Sequence, residues 1–391
     1  MKKKILFIID SLGIGGAEKS LVTLLNLLDY SRFEVDLQLF AYGGALELFL
    51  PEMVNVLPEL EISKYLSLPI WRQFFHFPWF CARMKHSLLI RKRGQKQSDT
   101  ARIYWQTIGR HIEDFPIHYD AAIAYAQGVP SFYTIDKVSA DKKLLWINGN
   151  YYLTGKTRNF QYRFYESSDA IVLVSDSVYR LFKKVYPEFE DKMRVMWDII
   201  DSSTIHKMSE FKADFVINKS LPVIITVGRL VELKGYDLAL KAACILRNRG
   251  IKFHWYAIGE GPYRREMEQY IQENNLQKHF TLLGATPNPY NYMRQGDIYV
   301  QTSLHEGFGL TIAEARILNK PVVCTNFEGC TMQMVNEKNG LITSFNPENI
   351  ADAIERLLND KKLYSDIQEY LRNEKKGNTE EIEKFYELLE G

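Results

Sequence analysis

The chain has 391 residues, with 49 lysines and arginines against 48 aspartates and glutamates, for a formal net charge of +1. That length exceeds one ordinary core and favours two domains, while near-neutrality argues against a dedicated nucleic-acid binder. Cys81, Cys244, Cys324 and Cys330 form no C-x-x-C pair and sit far from any histidine cluster, so reduced thiols are expected rather than disulfides or a zinc site.

At the start of the chain, MKKKILFIID sets lysines before an apolar run, as a secretion signal does. The run ILFII stops at Asp10, too short for the apolar core of such a signal. It reads instead as a buried parallel strand over 4–9 with solvated lysines at its entry. A glycine-rich turn at 13–16, an amphipathic helix over 18–28 and a strand over 34–40 then open a βαβ unit. From about 62 to 106 the alternation breaks: WRQFFHFPWF (71–80) crowds aromatics and RMKHSLLIRKRGQK (83–96) crowds cations. Strands resume at 121–126, 143–148, 170–175 and 194–199, with helical patterns between them. The polar stretch 201–220 is the expected boundary. A second series follows, with strands over 222–228, 253–259, 280–284, 297–303 and 321–326, and helices over 236–249, 262–274 and from about 310. This alternation predicts an α/β protein with parallel sheets, doubly wound twice. No apolar run approaches the ~18 residues that a spanning helix needs, so membrane contact is expected only from the surface.

In open α/β sheets, ligands sit at the carboxyl ends of strands, where loops enter helices. Three glycine-containing loops are expected there. DSLGIGGAE (10–18) lacks the G-x-G-x-x-G spacing of a dehydrogenase, and the second strand closes on Phe40, Ala41, Tyr42 and Gly43 without an acid. A dehydrogenase is therefore the weakest reading, and the small residues allow either a plain tight turn or close approach to a ligand. VGRLVELKG (227–235) ends a strand at Gly228 and sets Arg229 and Lys234 five apart. Two cations at a strand mouth suit a diphosphate, arginine as a planar fork and lysine as a point charge. Taken alone, that loop reads better as a solvated basic turn.

SLHEGFGLTIAEA (303–315) runs from strand through turn to helix, which would put the amides of Gly307, Phe308, Gly309 and Leu310 at a helix N-terminus, a ready anion site. Glu306 lies in the loop and Glu314 about one turn into the helix. Carboxylates accept paired hydrogen bonds from neighbouring hydroxyls, which suits a sugar or a ribose. The bland reading of Glu314 is a carboxylate favouring the helix dipole.

Taken together these segments resemble the family-four retaining glycosyltransferases of bacterial surface-polysaccharide type. The resemblance is dense over 222–360, through V-G-R-L-x-x-x-K-G, A-I-G-E-G-P (257–262), S-x-x-E-G-F-G-L-x-x-x-E-A (303–315), N-K-P-V-V (319–323) and G-L-I (340–342). It is looser in the N-terminal half, through G-G-A-E (15–18) and S-D-S-V (175–178). It implies the GT-B architecture, two Rossmann-like doubly wound domains facing across a cleft. Residues 1–203, with the final helix in 373–391 crossing back, would bind the acceptor, and 204–372 would bind a nucleotide-sugar donor.

By the same resemblance Arg229 and Lys234, in the loop after Gly228, bind the donor diphosphate. Glu306 holds the transferred sugar and Glu314 the ribose. Amides of Phe308, Gly309 and Leu310 touch sugar and phosphate, Gly16 approaches from the other domain, and the loop at Gly259 lies near the base. No metal and no cofactor is implied, because protein cations serve the diphosphate. One departure stands out: where members carry a histidine, this chain reads Trp146, Ile147, Asn148, Gly149, Asn150 and Tyr151. Asn148 can orient a hydroxyl but cannot act as a base, and front-face retention would leave the departing phosphate to take the proton.

The aromatic–basic segment 71–96 has two readings. On an interfacial helix its aromatics would enter the headgroup boundary and its cations meet anionic lipid. As a packed hairpin its aromatics would lie against the first domain. The expectation is thus a cytoplasmic enzyme, peripheral on the inner face of the cell membrane, moving a sugar, with a UDP-sugar as donor, to a glycan or lipid-linked acceptor. The rival is a non-catalytic nucleotide-sugar or glycan-binding subunit that assists an active paralogue, for which Asn148 is the best support. No nucleic-acid partner is expected.

Overall fold

The computed structural model describes residues 2–91, 97–149, 153, 155–213 and 215–390. The chain forms two compact units, Met1–Asp198 with Glu380–Gly391, and Ile199–Thr379. The sequence boundaries at 203/204 and 372/373 therefore differ from those observed. Helix Ser202–Ser209 belongs to the second unit because Ile205 is buried in that unit's core. Helix Lys361–Asn373 ends in the second unit as well, with Ile367 and Leu371 fully buried there.

The first unit is built on seven parallel strands: β1 (Lys3–Ile9), β2 (Phe33–Leu39), β3 (Val54–Val56), β4 (His118–Ala124), β5 (Ser139–Ile147), β6 (Ala170–Leu173) and β7 (Met193–Val195). Their order in the sheet is β3-β2-β1-β4-β5-β6-β7. Central β1 reads as a continuous apolar run, and Ile5, Leu6, Phe7 and Ile8 are all fully buried. That is the expected pattern for a strand covered on both faces by crossover helices. Its Ile5 lies opposite Val35 on one side and Ala121 on the other.

Helix Ile382–Glu390 completes this unit from the far end of the chain. Phe385 stacks on Phe7 with ring centroids 5.7 Å apart, and Tyr386 stacks on Phe33, also at 5.7 Å. Among the described residues four helices, Glu61–Ser67, Ile70–Gln73, Phe77–Ile90 and Gln97–Thr107, occupy the segment that broke the alternation. The packed-hairpin reading holds for Trp79, which meets the Tyr65 ring edge-on at 5.1 Å. It does not hold for Trp71, Phe74, Phe75 and Phe77, all exposed. Of the basic residues there, Lys92, Arg93 and Lys96 lie outside the described residues, as do Asn150 and Tyr151.

The second unit has six parallel strands: β8 (Val223–Val227), β9 (His254–Ile258), β10 (Phe280–Gly284), β11 (Ile298–Gln301), β12 (Val322–Thr325) and β13 (Gly340–Thr343). Their order is β10-β9-β8-β11-β12-β13. Each sheet thus runs outward from its first strand and then reverses, the doubly wound order. In the second unit the reversal lies between β8 and β11, where Ile224 pairs with Ile298. The loops after β8 and β11 leave the sheet side by side, at the place where such folds bind ligands.

Candidate functional site

The loop after β8 begins at Gly228 and Arg229 and turns through a 3-10 segment, Glu232–Lys234, into Gly235. Gly235 has φ +64°, and a β-carbon there would stand 2.0 Å from the Thr302 carbonyl oxygen. Only glycine meets both the backbone conformation and the close approach. The Leu304 amide donates to the Leu233 carbonyl at 2.9 Å, and Thr302 Oγ1 donates to the Lys234 carbonyl at 3.1 Å. The two loops are therefore tied together by one backbone bond and one side-chain hydroxyl.

That tie sets Lys234 against Glu306. Lys234 Nζ donates to both Glu306 oxygens, at 2.6 and 2.7 Å. Glu306 Oε1 also accepts from Gln301 Nε2 at 2.8 Å and Ser303 Oγ at 2.6 Å. The side chains retain only 21% and 11% exposure, so this is a partly desolvated, charge-assisted pair. Lys234 and Glu306, separately assigned from sequence to phosphate and sugar, thus hold each other.

Arg229 is exposed and makes no hydrogen bond or ion pair among the described residues. It is an uncommitted cation in the same loop as Lys234. Gly259, at the end of β9, approaches the same loop, since a β-carbon on it would lie 1.9 Å from the Gly228 carbonyl oxygen. Tyr236 OH donates to that carbonyl at 2.9 Å, and burial followed by the Glu306 charge pushes its phenol above the usual range.

Helix Leu310–Ile317 starts at Gly309, whose φ of +83° turns the chain into it, and Phe308 is buried just before. The Ile312 amide is the first to close onto the Gly309 carbonyl, at 2.9 Å. Glu314 is buried at 3% exposure and accepts from Tyr290 OH at 2.9 Å. Burial and the Glu314 charge together drive the Tyr290 phenol well above its ordinary value. A carboxylate kept at such depth needs hydrogen-bond donors, so Glu314 is a built-in acceptor rather than a surface partner of the helix dipole.

Gln301 links the halves of this site and carries no motif. Its Nε2 reaches Glu306 and Ser303, while its Oε1 accepts from Tyr299 OH at 2.6 Å and Thr311 Oγ1 at 3.2 Å. It and Tyr290 escaped the sequence reading. A polar residue at the end of an otherwise apolar strand was the available signal for Gln301.

In the first unit, Gly16 opens helix Gly16–Leu27 after the Gly15 N-cap. Asn148 follows β5; its Nδ2 donates to the Tyr125 carbonyl at 2.6 Å, and its amide donates to Gln127 Oε1 at 3.1 Å. Its Oδ1 is buried without a hydrogen-bond partner among the described residues. Asp198, also missed from sequence, is buried at 7% exposure, and burial raises its carboxyl to about 7 against an opposing hydrogen bond from Ser20. Ser20 Oγ and Tyr125 OH lie 2.9 Å apart, and burial, then Asp198, raises the Tyr125 phenol. Among the described residues no group of three or more histidine, cysteine or acidic side chains could hold a metal.

Residues 207–374 match the family Glycosyl transferases group 1. The chain is 26% identical over 363 residues to the N-acetylgalactosamine-N,N'-diacetylbacillosaminyl-diphospho-undecaprenol 4-alpha-N-acetylgalactosaminyltransferase of Campylobacter jejuni, covering 92% of each. It is 26% identical over 166 residues to an alpha-D-kanosaminyltransferase of Streptomyces kanamyceticus, covering 42% of this chain and 43% of that one. For three of the curated relatives the aligned stretch spans only 43%, 54% and 34% of their own length. A crystal structure of Staphylococcus aureus TarM in complex with Fondaparinux, alpha-GlcNAc-glycerol and UDP superposes with a TM-score of 0.69 at 16% identity, covering 100% of both chains. At that identity the likeness speaks for the fold, which is GT-B.

Proposed function

From a C-terminal unit of the group 1 glycosyl transferases and a GT-B fold, we propose that the chain is a retaining, metal-independent glycosyltransferase. Its donor is a nucleotide-sugar, specifically a UDP-sugar, and its acceptor a glycan or a lipid-linked glycan of a surface polysaccharide, met at the inner face of the cell membrane. The observation that carries this reading is the Lys234–Glu306 pair beside uncommitted Arg229, at the switch point of a doubly wound sheet.

The donor diphosphate lies against Arg229, whose guanidinium meets phosphate oxygens as a fork. Its negative charge competes with Glu306 for Lys234. As Lys234 turns to the phosphate, Glu306 keeps Gln301 and Ser303 as donors and gains capacity to accept sugar hydroxyls. Charge grows on the phosphate as the glycosidic bond breaks, and the two cations stabilise that growth more than the ground state. Glu314 accepts from the ribose hydroxyls, and the amides of Gly307, Phe308, Gly309 and Leu310 serve sugar and phosphate at the helix N-terminus. On the acceptor side Asn148 orients a hydroxyl, and the proton passes to the departing phosphate oxygen. UDP as leaving group agrees with its presence in the TarM complex, and a lipid-linked acceptor with the name of the Campylobacter relative.

Calorimetric titration of UDP-, GDP- and TDP-sugars tests the donor assignment. Saturable binding of UDP-sugars is expected, weakened about tenfold or more in Arg229→Ala, the range for loss of a charge-assisted contact. Equal affinity of wild type and variant, or preference for another base, would contradict the assignment. If donor binds but no sugar is transferred to any acceptor, the chain is instead a binding subunit.

A further inference from the structure

Helix Phe77–Ile90 turns an apolar stripe outward. Phe77, Phe80, Cys81, Met84 and Leu88 recur at three- and four-residue steps and, with Lys85, line an open groove of about 660 Å³. The opposite face is already committed to the unit. Ala82 is buried, Arg83 Nη1 donates to the Leu66 carbonyl at 3.1 Å, and the His86 ring meets Tyr104 edge-on at 5.7 Å. The short helix Ile70–Gln73 and the turn that follows it add exposed Ile70, Trp71, Phe74 and Phe75, the last 83% exposed. A soluble surface disperses such residues; this one gathers them on one helix and the turn before it.

The charge along this stretch of the sequence has one sign. Between positions 62 and 98 the chain has no aspartate or glutamate, but eight lysines and arginines, although its overall charge is nearly zero. Arg72, Lys85 and Arg91 are exposed beside the apolar stripe, and the Arg72 guanidinium lies 4.8 Å from the Trp71 ring. A second copy of this chain would oppose cations with cations, and an acidic protein would leave the aromatics unmatched. An anionic phospholipid surface offers phosphate at the height of the cations and acyl chain at the height of the aromatics.

We propose that helix Phe77–Ile90 and the turn before it dock the protein on anionic phospholipid, with Trp71, Phe75, Phe77 and Leu88 entering the headgroup boundary and Arg72, Lys85 and Arg91 meeting lipid phosphates. The docking is independent of sugar transfer, so Arg229→Ala keeps it. The test is co-sedimentation of the full chain with vesicles of phosphatidylcholine alone or mixed equally with phosphatidylglycerol. Binding to the mixed vesicles only, reversed by high salt, is expected. Trp71→Ala combined with Phe75→Ala should lower it about tenfold or more, and Lys85→Glu should lower it as well. Brominated lipid should quench wild-type fluorescence more than that of Trp71→Phe, a readout that needs no destabilising change. The proposal fails if the chain ignores anionic vesicles or if the double variant binds as wild type. It fails equally if light scattering shows a dimer that the double variant abolishes and that excludes vesicles.

Discussion

Lys234 and Glu306 neutralise each other at 2.6 Å while Arg229 beside them stays open to solvent. This arrangement suits a site that must admit a doubly charged diphosphate, because the pair hides one cation until an anion arrives. The buried carboxyl of Asp198 has a different consequence. Its folded value stands at about 7 against an ordinary 3.8, so between those values the folded chain binds a proton that the unfolded chain has lost. The stability it contributes is therefore present at low pH and is lost as pH rises through that window. Asp198→Asn stays neutral throughout. Thermal unfolding at about pH 8 should show the variant gaining on wild type relative to its standing at about pH 5, and a gap independent of pH would contradict the buried acid. Asp198 was invisible in sequence because the Ser20 and Tyr125 side chains it interacts with are both distant in the chain.

At the scale of elements, the geometry of the proposed donor site depends on the loops after β8 and β11 being locked together at Gly235. Gly235→Ala would place a β-carbon in the Thr302 carbonyl and hold alanine at φ +64°. A cost of roughly 1–3 kcal/mol is expected from such a backbone conformation, read by denaturant unfolding. UDP affinity should weaken with it as Lys234 shifts from Glu306, and unchanged stability and affinity would show that the lock is not needed. The glycines, Arg229, Lys234, Glu306 and Glu314 were legible as candidates because they fall in the loops that leave two strands or in the helix that follows one of them. Gln301 and Tyr290 were not, because their roles arise from side-chain direction: one at the end of an apolar strand, the other in the four-residue helix Tyr290–Met293. The outward apolar residues of Phe77–Ile90 and the exposed aromatics just before it were legible as composition only, since the sequence does not tell an outward stripe from an inward one.

For the molecule as a whole, the strand alternation gave away both parallel sheets, while the boundaries moved by several residues because helices Ser202–Ser209 and Lys361–Asn373 pack into the second core. The last helix shows how much tertiary packing decides: Phe385 finds Phe7 and Trp146 across nearly the full length of the chain. What unifies the two units functionally is the proposed transfer of a sugar, and it rests on Arg229 and Glu306 acting on the donor. The most direct measurement is the rate at which sugar leaves a UDP-sugar, by transfer or by hydrolysis, in wild type, Arg229→Ala and Glu306→Ala. Turnover by wild type and a loss of about a hundredfold or more in each variant, the scale for removing a preorganised electrostatic group, is the predicted result. Turnover in both variants equal to that of wild type would contradict the account.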